Sequence, residues 1–231
     1  MICVAIANDN INDMLKNAKR AIDLGANFIE IRIDYLKNLN FKLIDNLKQL
    51  ISLSIPVIFT CRKESEGGKN QLKEDFRLHI IEKLIYLKPD YIDLEYNIEK
   101  EELIRLFKKA HENQVKIILS IHDFEKTQSL DESWAIIDSM KMLDYDILKI
   151  IMMANVVYDN NVILNLIEKA RKNDIDIVSF CMGNKGIISR ILSPFIGAKF
   201  TFASLDISTA PGQISIQEMN TIYKILNNNM K

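Results

Sequence analysis

Glycine, proline and tryptophan are scarce in this chain: seven, four and one among 231 residues. So few glycines and prolines leave no flexible or low-complexity linker to divide it. No glycine-rich phosphate turn follows the first apolar run, where the sequence reads "IANDNIND". Cys3, Cys61 and Cys181 are odd in number, far apart and set in apolar runs, which argues against a disulfide framework and for reduced core thiols of an intracellular protein. A net charge of −1 gives no support for a nucleic-acid or acidic-membrane partner. No apolar run reaches the roughly 18 residues of a membrane span. The opening "MICVAIANDN" lacks the basic segment and long apolar stretch of a signal peptide. A soluble cytoplasmic protein is expected, with no nucleic-acid or membrane partner.

What the chain does have is alternation. Eight short β-rich runs recur: "ICVAIA" (2–7), "FIEIRID" (28–34), "PVIFTC" (56–61), "YIDLEY" (91–96), "KIILSIH" (116–122), "ILKIIMM" (147–153), "IDIVSFCM" (175–182) and "KFTFASL" (199–205). Between them lie helical stripes, such as Ile11, Leu15, Ala18 and Ile22, or Leu103, Leu106 and Phe107. Strand then helix, eight times over, predicts parallel strands joined by helices. In 231 residues this suits an α/β fold of the (β/α)8 TIM-barrel type, as one domain over 1–231. A doubly wound open sheet is the structural alternative.

The strands carry charges on alternate positions. Glu30, Arg32 and Asp34 share one face of the second; Asp93 and Glu95 share one face of the fourth; Ser120 and His122 share one face of the fifth. In the sixth, Lys149 shares a face with Ile147 and Ile151. Helices cover the outer face of a parallel sheet, so the polar sides are expected to point into the barrel. A lysine there has two readings: a neutral amine that attacks a carbonyl and forms a Schiff base, or one half of a structural ion pair. Asp34, Asp93 and Glu95 suggest a hard-cation site, but the neighbouring lysine and arginines would repel a cation, and they are expected instead to neutralise Arg32, Arg62 and Lys149.

Six strings now acquire joint meaning: "EIRID", "TCRKESEGG", "SIHDF", Lys149 beyond it, "MGNKGIISR" and "TAPGQ". In this order, each at a strand's end, the chain resembles the type I 3-dehydroquinate dehydratase family over nearly its whole length. The family often has serine where Thr209 stands, and many members carry an N-terminal extension closing the barrel floor before the first strand; its lack here puts bottom-end stability in question.

The resemblance implies a reaction and a cast. Water is eliminated from 3-dehydroquinate, syn, to give 3-dehydroshikimate in the shikimate pathway. Lys149 forms the Schiff base and no metal or organic cofactor is needed. His122 carries protons and Glu66 orients it. Arg190 binds the substrate carboxylate. Glu30, Arg32 and Arg62 hold ring hydroxyls and the surrounding polar network, Thr209 and Gln213 reach in from the last loop, and Met182 and Phe202 form apolar walls, with Phe124, Phe180 and Ile151 as further wall candidates. A homodimer is implied as well. The competing enzyme reading is a class I aldolase-type barrel, which also uses a strand lysine; the competing non-enzyme reading is a catalytically silent barrel used as a binding module.

Overall fold

The computed structural model describes residues 1–69, 71–206 and 208–229. Each expected run forms a strand: β1 (Ile2–Ile6), β2 (Phe28–Arg32), β3 (Val57–Thr60), β4 (Tyr91–Glu95), β5 (Lys116–Asp123), β6 (Ile147–Met153), β7 (Ile177–Met182) and β8 (Thr201–Ala203). The helices are α1 (Ile11–Asp23), α2 (Phe41–Asp45), α3 (Lys48–Ile51), α4 (Glu74–Tyr86), α5 (Lys100–Glu112), α6 (Leu130–Met140), α7 (Asp159–Lys172), α8 (Ile187–Ile196) and α9 (Ile216–Asn229). The second connection is thus broken into two short helices. In α1 the stripe is rotated slightly from expectation: Ile11, Met14, Ala18 and Ala21 are buried, while Leu15 and Ile22 are half-buried.

All strand pairs are parallel, in the order β7-β6-β5-β4-β3-β2-β1-β8. The β8–β1 ladder makes the open-sheet alternative untenable, because it brings the last strand back to the first. Among the described residues no ladder joins β7 to β8, and the barrel is nearly closed there, with the Lys199 amide donating to the Ile177 carbonyl at 2.8 Å.

Alternation separates two cores. Outward residues such as Ile29, Ile31, Phe59, Leu94, Leu119 and Ile150 pack against the helices in one apolar cluster. Inward residues form a second cluster, with Phe28, Ile58, Tyr91, Ile118 and Phe200 at the N-terminal ends of the strands. The Phe28 ring lies 4.6 Å from that of Phe200 and 6.1 Å from that of Tyr91, so aromatic side chains fill the floor. Above them the interior turns polar, and the site begins there.

Candidate active site

The inward positions just above the apolar floor are Glu30, Thr60, Asp93, Ser120 and Lys149, set in line by the strand registers Thr60↔Asp93 and Ser120↔Lys149. Lys149 is 5% exposed, and its Nζ donates to Glu30 Oε1 at 2.9 Å and Asp93 Oδ2 at 3.0 Å. Nζ also sits 4.4 Å from the centre of the Phe202 ring. Lys149 is thus ion-paired and at the same time lines a cavity.

The pairing extends into a line of alternating charge. Arg62 Nη2 meets Asp93 Oδ1 at 2.7 Å, and its Nη1 donates to Ser120 Oγ at 2.7 Å. Glu95 Oε1 lies 3.3 Å from Arg62 Nη1, and Glu95 Oε2 accepts from Arg77 Nη1 at 2.9 Å. Burial alone would raise the Asp93 carboxyl; Arg62 and Lys149 beside it reverse that and hold it well below the usual carboxylate range. Asp34 answers for Arg32, taking its Nε at 2.9 Å and Nη2 at 2.8 Å. These contacts account for Asp34, Asp93 and Glu95: each is bound to buried cations. Removing one member of such a buried pair costs about 3–5 kcal/mol, because the partner charge is stranded.

His122 stands one turn of the strand above Ser120, and its Nδ1 is 3.1 Å from Glu66 Oε2. The loop after β3 delivers Glu66. Gly67 turns it at φ +83°, and at Gly68 a Cβ would lie 2.1 Å from the Arg62 carbonyl, so only glycine permits the return. Asn97 Nδ2 donates to the other oxygen of Glu66 at 3.1 Å. Burial, with Arg62 and Lys149 nearby, holds the imidazole well below its ordinary value, so it is a neutral base at neutral pH.

Burial pushes the Glu66 carboxyl up to about 7. A raised carboxyl stabilises the fold below its unfolded value near 4.5, and that contribution is lost as pH climbs through about 7. Glu66→Gln is neutral throughout. Its stability relative to the parent should therefore be greater at about pH 8 than at about pH 5, by roughly 1–3 kcal/mol. Urea melts of both proteins at the two pH values check this, and a constant difference would refute it.

Arg190, from α8, is fully buried, and its guanidinium lies 4.2 Å from the centre of the Phe180 ring. Its protein contacts are weak. Nη1 and Nη2 each reach a carbonyl, of Phe202 and Pro211, at 3.4 Å, and Nε has no hydrogen-bond partner. Burial drives its value down to about 9. Among the described residues it is a buried cation with no carboxylate beside it, which is the environment an anionic ligand would complete.

The loop after β8 folds over this region. Gly183 N–H donates to the Pro211 carbonyl at 3.1 Å, and a Cβ on Gly212 (φ +72°) would lie 2.3 Å from the Gly183 carbonyl oxygen. Gln213 Oε1 accepts from the Thr209 amide at 2.7 Å, and Gln213 Nε2 donates to Thr209 Oγ1 at 3.0 Å. Ile207, in the same loop, lies outside the described residues.

One cavity is lined by Lys149, His122, Glu66, Glu30, Arg32, Arg62, Arg190, Thr209, Gln213, Met182 and Phe202, while Asp34, Asp93 and Glu95 lie outside its lining and pair with its cations. Phe124, Phe180 and Ile151 line it too. Arg62 is bound into the polar network, with its donors directed to Asp93, Ser120 and Glu95. The sequence reading missed Ser120 as a partner of Asp93, Asn97 as a partner of Glu66, and Arg77. Of these, Ser120 was visible on the polar face it shares with His122, and Arg77 as an arginine beside Leu78 on the buried side of a helix; Asn97 left no such signal.

The model of the type I 3-dehydroquinase family matches residues 2–230. The 3-dehydroquinate dehydratase of Thermococcus onnurineus is 34% identical over 217 residues, which are 92% of this chain and 95% of that protein. The crystal structure of the type I 3-dehydroquinate dehydratase from Clostridium difficile, with covalently modified comenic acid, superposes with a TM-score of 0.89 at 32% identity, covering 98% of this chain and 92% of that one. The Geobacillus kaustophilus 3-dehydroquinate dehydratase gives a TM-score of 0.91 at 26% identity, over all of this chain and 92% of its own. With the lysine, the histidine and the unpaired arginine gathered at the C-terminal mouth of a parallel barrel, the chain belongs to the type I 3-dehydroquinase family, the hydro-lyases that dehydrate 3-dehydroquinate through a lysine Schiff base.

Proposed function

We propose that Lys149, His122 and Glu66 carry out the dehydration of 3-dehydroquinate, with Arg190 holding its carboxylate. The observation that carries the assignment is the convergence, in one cavity, of an amine, a neutral imidazole and a buried guanidinium that lacks an anion. Lys149 attacks the C3 ketone after passing a proton to an acceptor in contact with it. The carbinolamine so formed loses the former ketone oxygen as water, and the resulting iminium withdraws electrons and acidifies the C2 proton; water later hydrolyses the product iminium and frees Lys149. His122 takes that proton and returns it to the departing C1 hydroxyl, so a single base serves a syn elimination. Glu66 fixes the ring through Nδ1 and leaves Nε2 for the substrate.

Glu30, Arg32, Thr209 and Gln213 are assigned to the ring hydroxyls, and Met182 with Phe202 to the apolar walls that keep water from the iminium. Arg62 is assigned to holding Asp93 in place below Lys149. The whole chain is read as one catalytic domain, cytoplasmic and homodimeric. Among the described residues no helix is long and apolar enough to cross a membrane, and light scattering on the purified chain tests the dimer.

The activity test is the rise of enone absorbance from 3-dehydroquinate, with no cleavage of ketose phosphates; the converse result would restore the aldolase reading. Arg190→Met should weaken binding of 3-dehydroshikimate by roughly 100-fold, the worth of a charge-assisted pair to a carboxylate. Calorimetric titration measures it, and unchanged affinity would move the carboxylate elsewhere.

A further inference from the structure

Arg77 is one of the largest fully buried side chains, yet it lies outside the cavity and comes from α4, in the helical layer. A buried arginine in an outer helix is costly unless its nitrogens find acceptors, and here all three donate. Nε and Nη2 form a fork onto Glu74, both at 2.9 Å. Nη1 donates to the Cys61 carbonyl at 2.8 Å and to Glu95 Oε2 at 2.9 Å. The arginine thus reaches past the end of β3 and touches the charge line from behind.

The line runs Arg77, Glu95, Arg62, Asp93, Lys149, Glu30, with the sign alternating at each step. Its contacts are unequal. Arg62 is held tightly by Asp93 and Ser120, both at 2.7 Å, and loosely by Glu95, at 3.3 Å. Glu95 tolerates that loose contact because Arg77 satisfies its other oxygen and the Lys63 amide donates to the first at 3.0 Å.

We propose that Arg77 is a positioning residue for Schiff-base formation: by neutralising Glu95 it leaves Arg62 to Asp93, and so keeps Asp93 from gripping Lys149 too tightly. The inference rests on Lys149 being the Schiff-base lysine. Without the Arg77 charge, Glu95 draws Arg62 towards itself. Asp93 then loses its main cation and leans on Lys149, and an amine gripped by a carboxylate attacks a ketone more slowly. Product binding draws chiefly on Arg190, which is not in this line; only Glu30, at the end farthest from Arg77, is assigned to both.

The experiment is single-turnover trapping of the substrate adduct by borohydride, scored by mass per folded molecule at one pH. Arg77→Met should form the adduct about tenfold more slowly, with affinity for 3-dehydroshikimate within about twofold of the parent. The double variant Arg77→Met with Glu95→Gln removes both charges and should recover most of the lost rate, since a buried pair can be replaced by neutral groups of similar size. Glu95→Gln alone keeps Arg77 paired to Glu74 and gives a variant expected to fold even if Arg77→Met does not; it should form adduct at least as fast as the parent. A structural strut would behave differently: Arg77→Met would melt earlier but react at the parental rate, or the double variant would be as slow as the single one, or Glu95→Gln would itself be slow. Any of these overturns the proposal. Absence of a Lys149 adduct in the parent would instead overturn the assignment of Lys149, which keeps the two failures apart.

Discussion

Lys149→Ala is expected to lose turnover by roughly 10⁴-fold or more, about 5.5 kcal/mol of barrier, because among the described residues no other amine lines the cavity to make the iminium. The substitution has a second effect. Glu30 Oε1 and Asp93 Oδ2 both lean on this ammonium, and its removal strands them. Lys149→Arg separates the two effects. It keeps the positive charge between the carboxylates but supplies no nucleophile, since a guanidinium stays protonated. It should be more stable than the alanine variant and equally inactive. Steady-state kinetics with melting curves on both variants make the comparison. Turnover in Lys149→Arg near the parental rate would remove covalent catalysis from the account.

His122→Ala should reduce kcat by roughly 10²–10⁴-fold while still forming the covalent adduct. Lys149 keeps its carboxylate partners in this variant, and Arg190 keeps the carboxylate site, so binding and attack persist. What is lost is the neutral ring poised by Glu66 to accept the C2 proton. The adduct should therefore accumulate, visible as a stable mass increase without borohydride. Normal turnover would mean another group takes the proton. Failure to form any adduct would mean that His122 is required earlier, for the attack itself.

The fold was largely legible because strand alternation and strand–helix spacing are one-dimensional signals. Ile29 and Ile31 against Glu30 and Arg32 assign the two faces of β2 with no knowledge of its neighbours. The candidate site was legible for a different reason: its residues sit at strand ends and in short motifs whose order survives in the chain. Lys149 and Phe202 meet at 4.4 Å although far apart in sequence, because every strand ends at the same mouth. The partners of those residues were less visible. Nothing in "YIDLEY" tells which cation each carboxylate meets, since that depends on barrel register: Thr60↔Asp93 and Ser120↔Lys149 line up the polar layer. The contacts of Arg77 were hidden because they depend on how α4 packs against the end of β3, where its donors meet the Cys61 carbonyl and Glu95. The particular acceptors of Arg62 were hidden likewise, because Asp93, Glu95 and Ser120 converge on it only inside the barrel.

The central claim is that Lys149 is the atom-bonding residue of this site. Borohydride reduction in the presence of 3-dehydroquinate, followed by peptide mass mapping, tests it most directly. The account predicts one reduced adduct, on the peptide that carries "DILKIIMMA" (146–154), at Lys149. An adduct on any other lysine, or none from an enzyme that turns over, would contradict it.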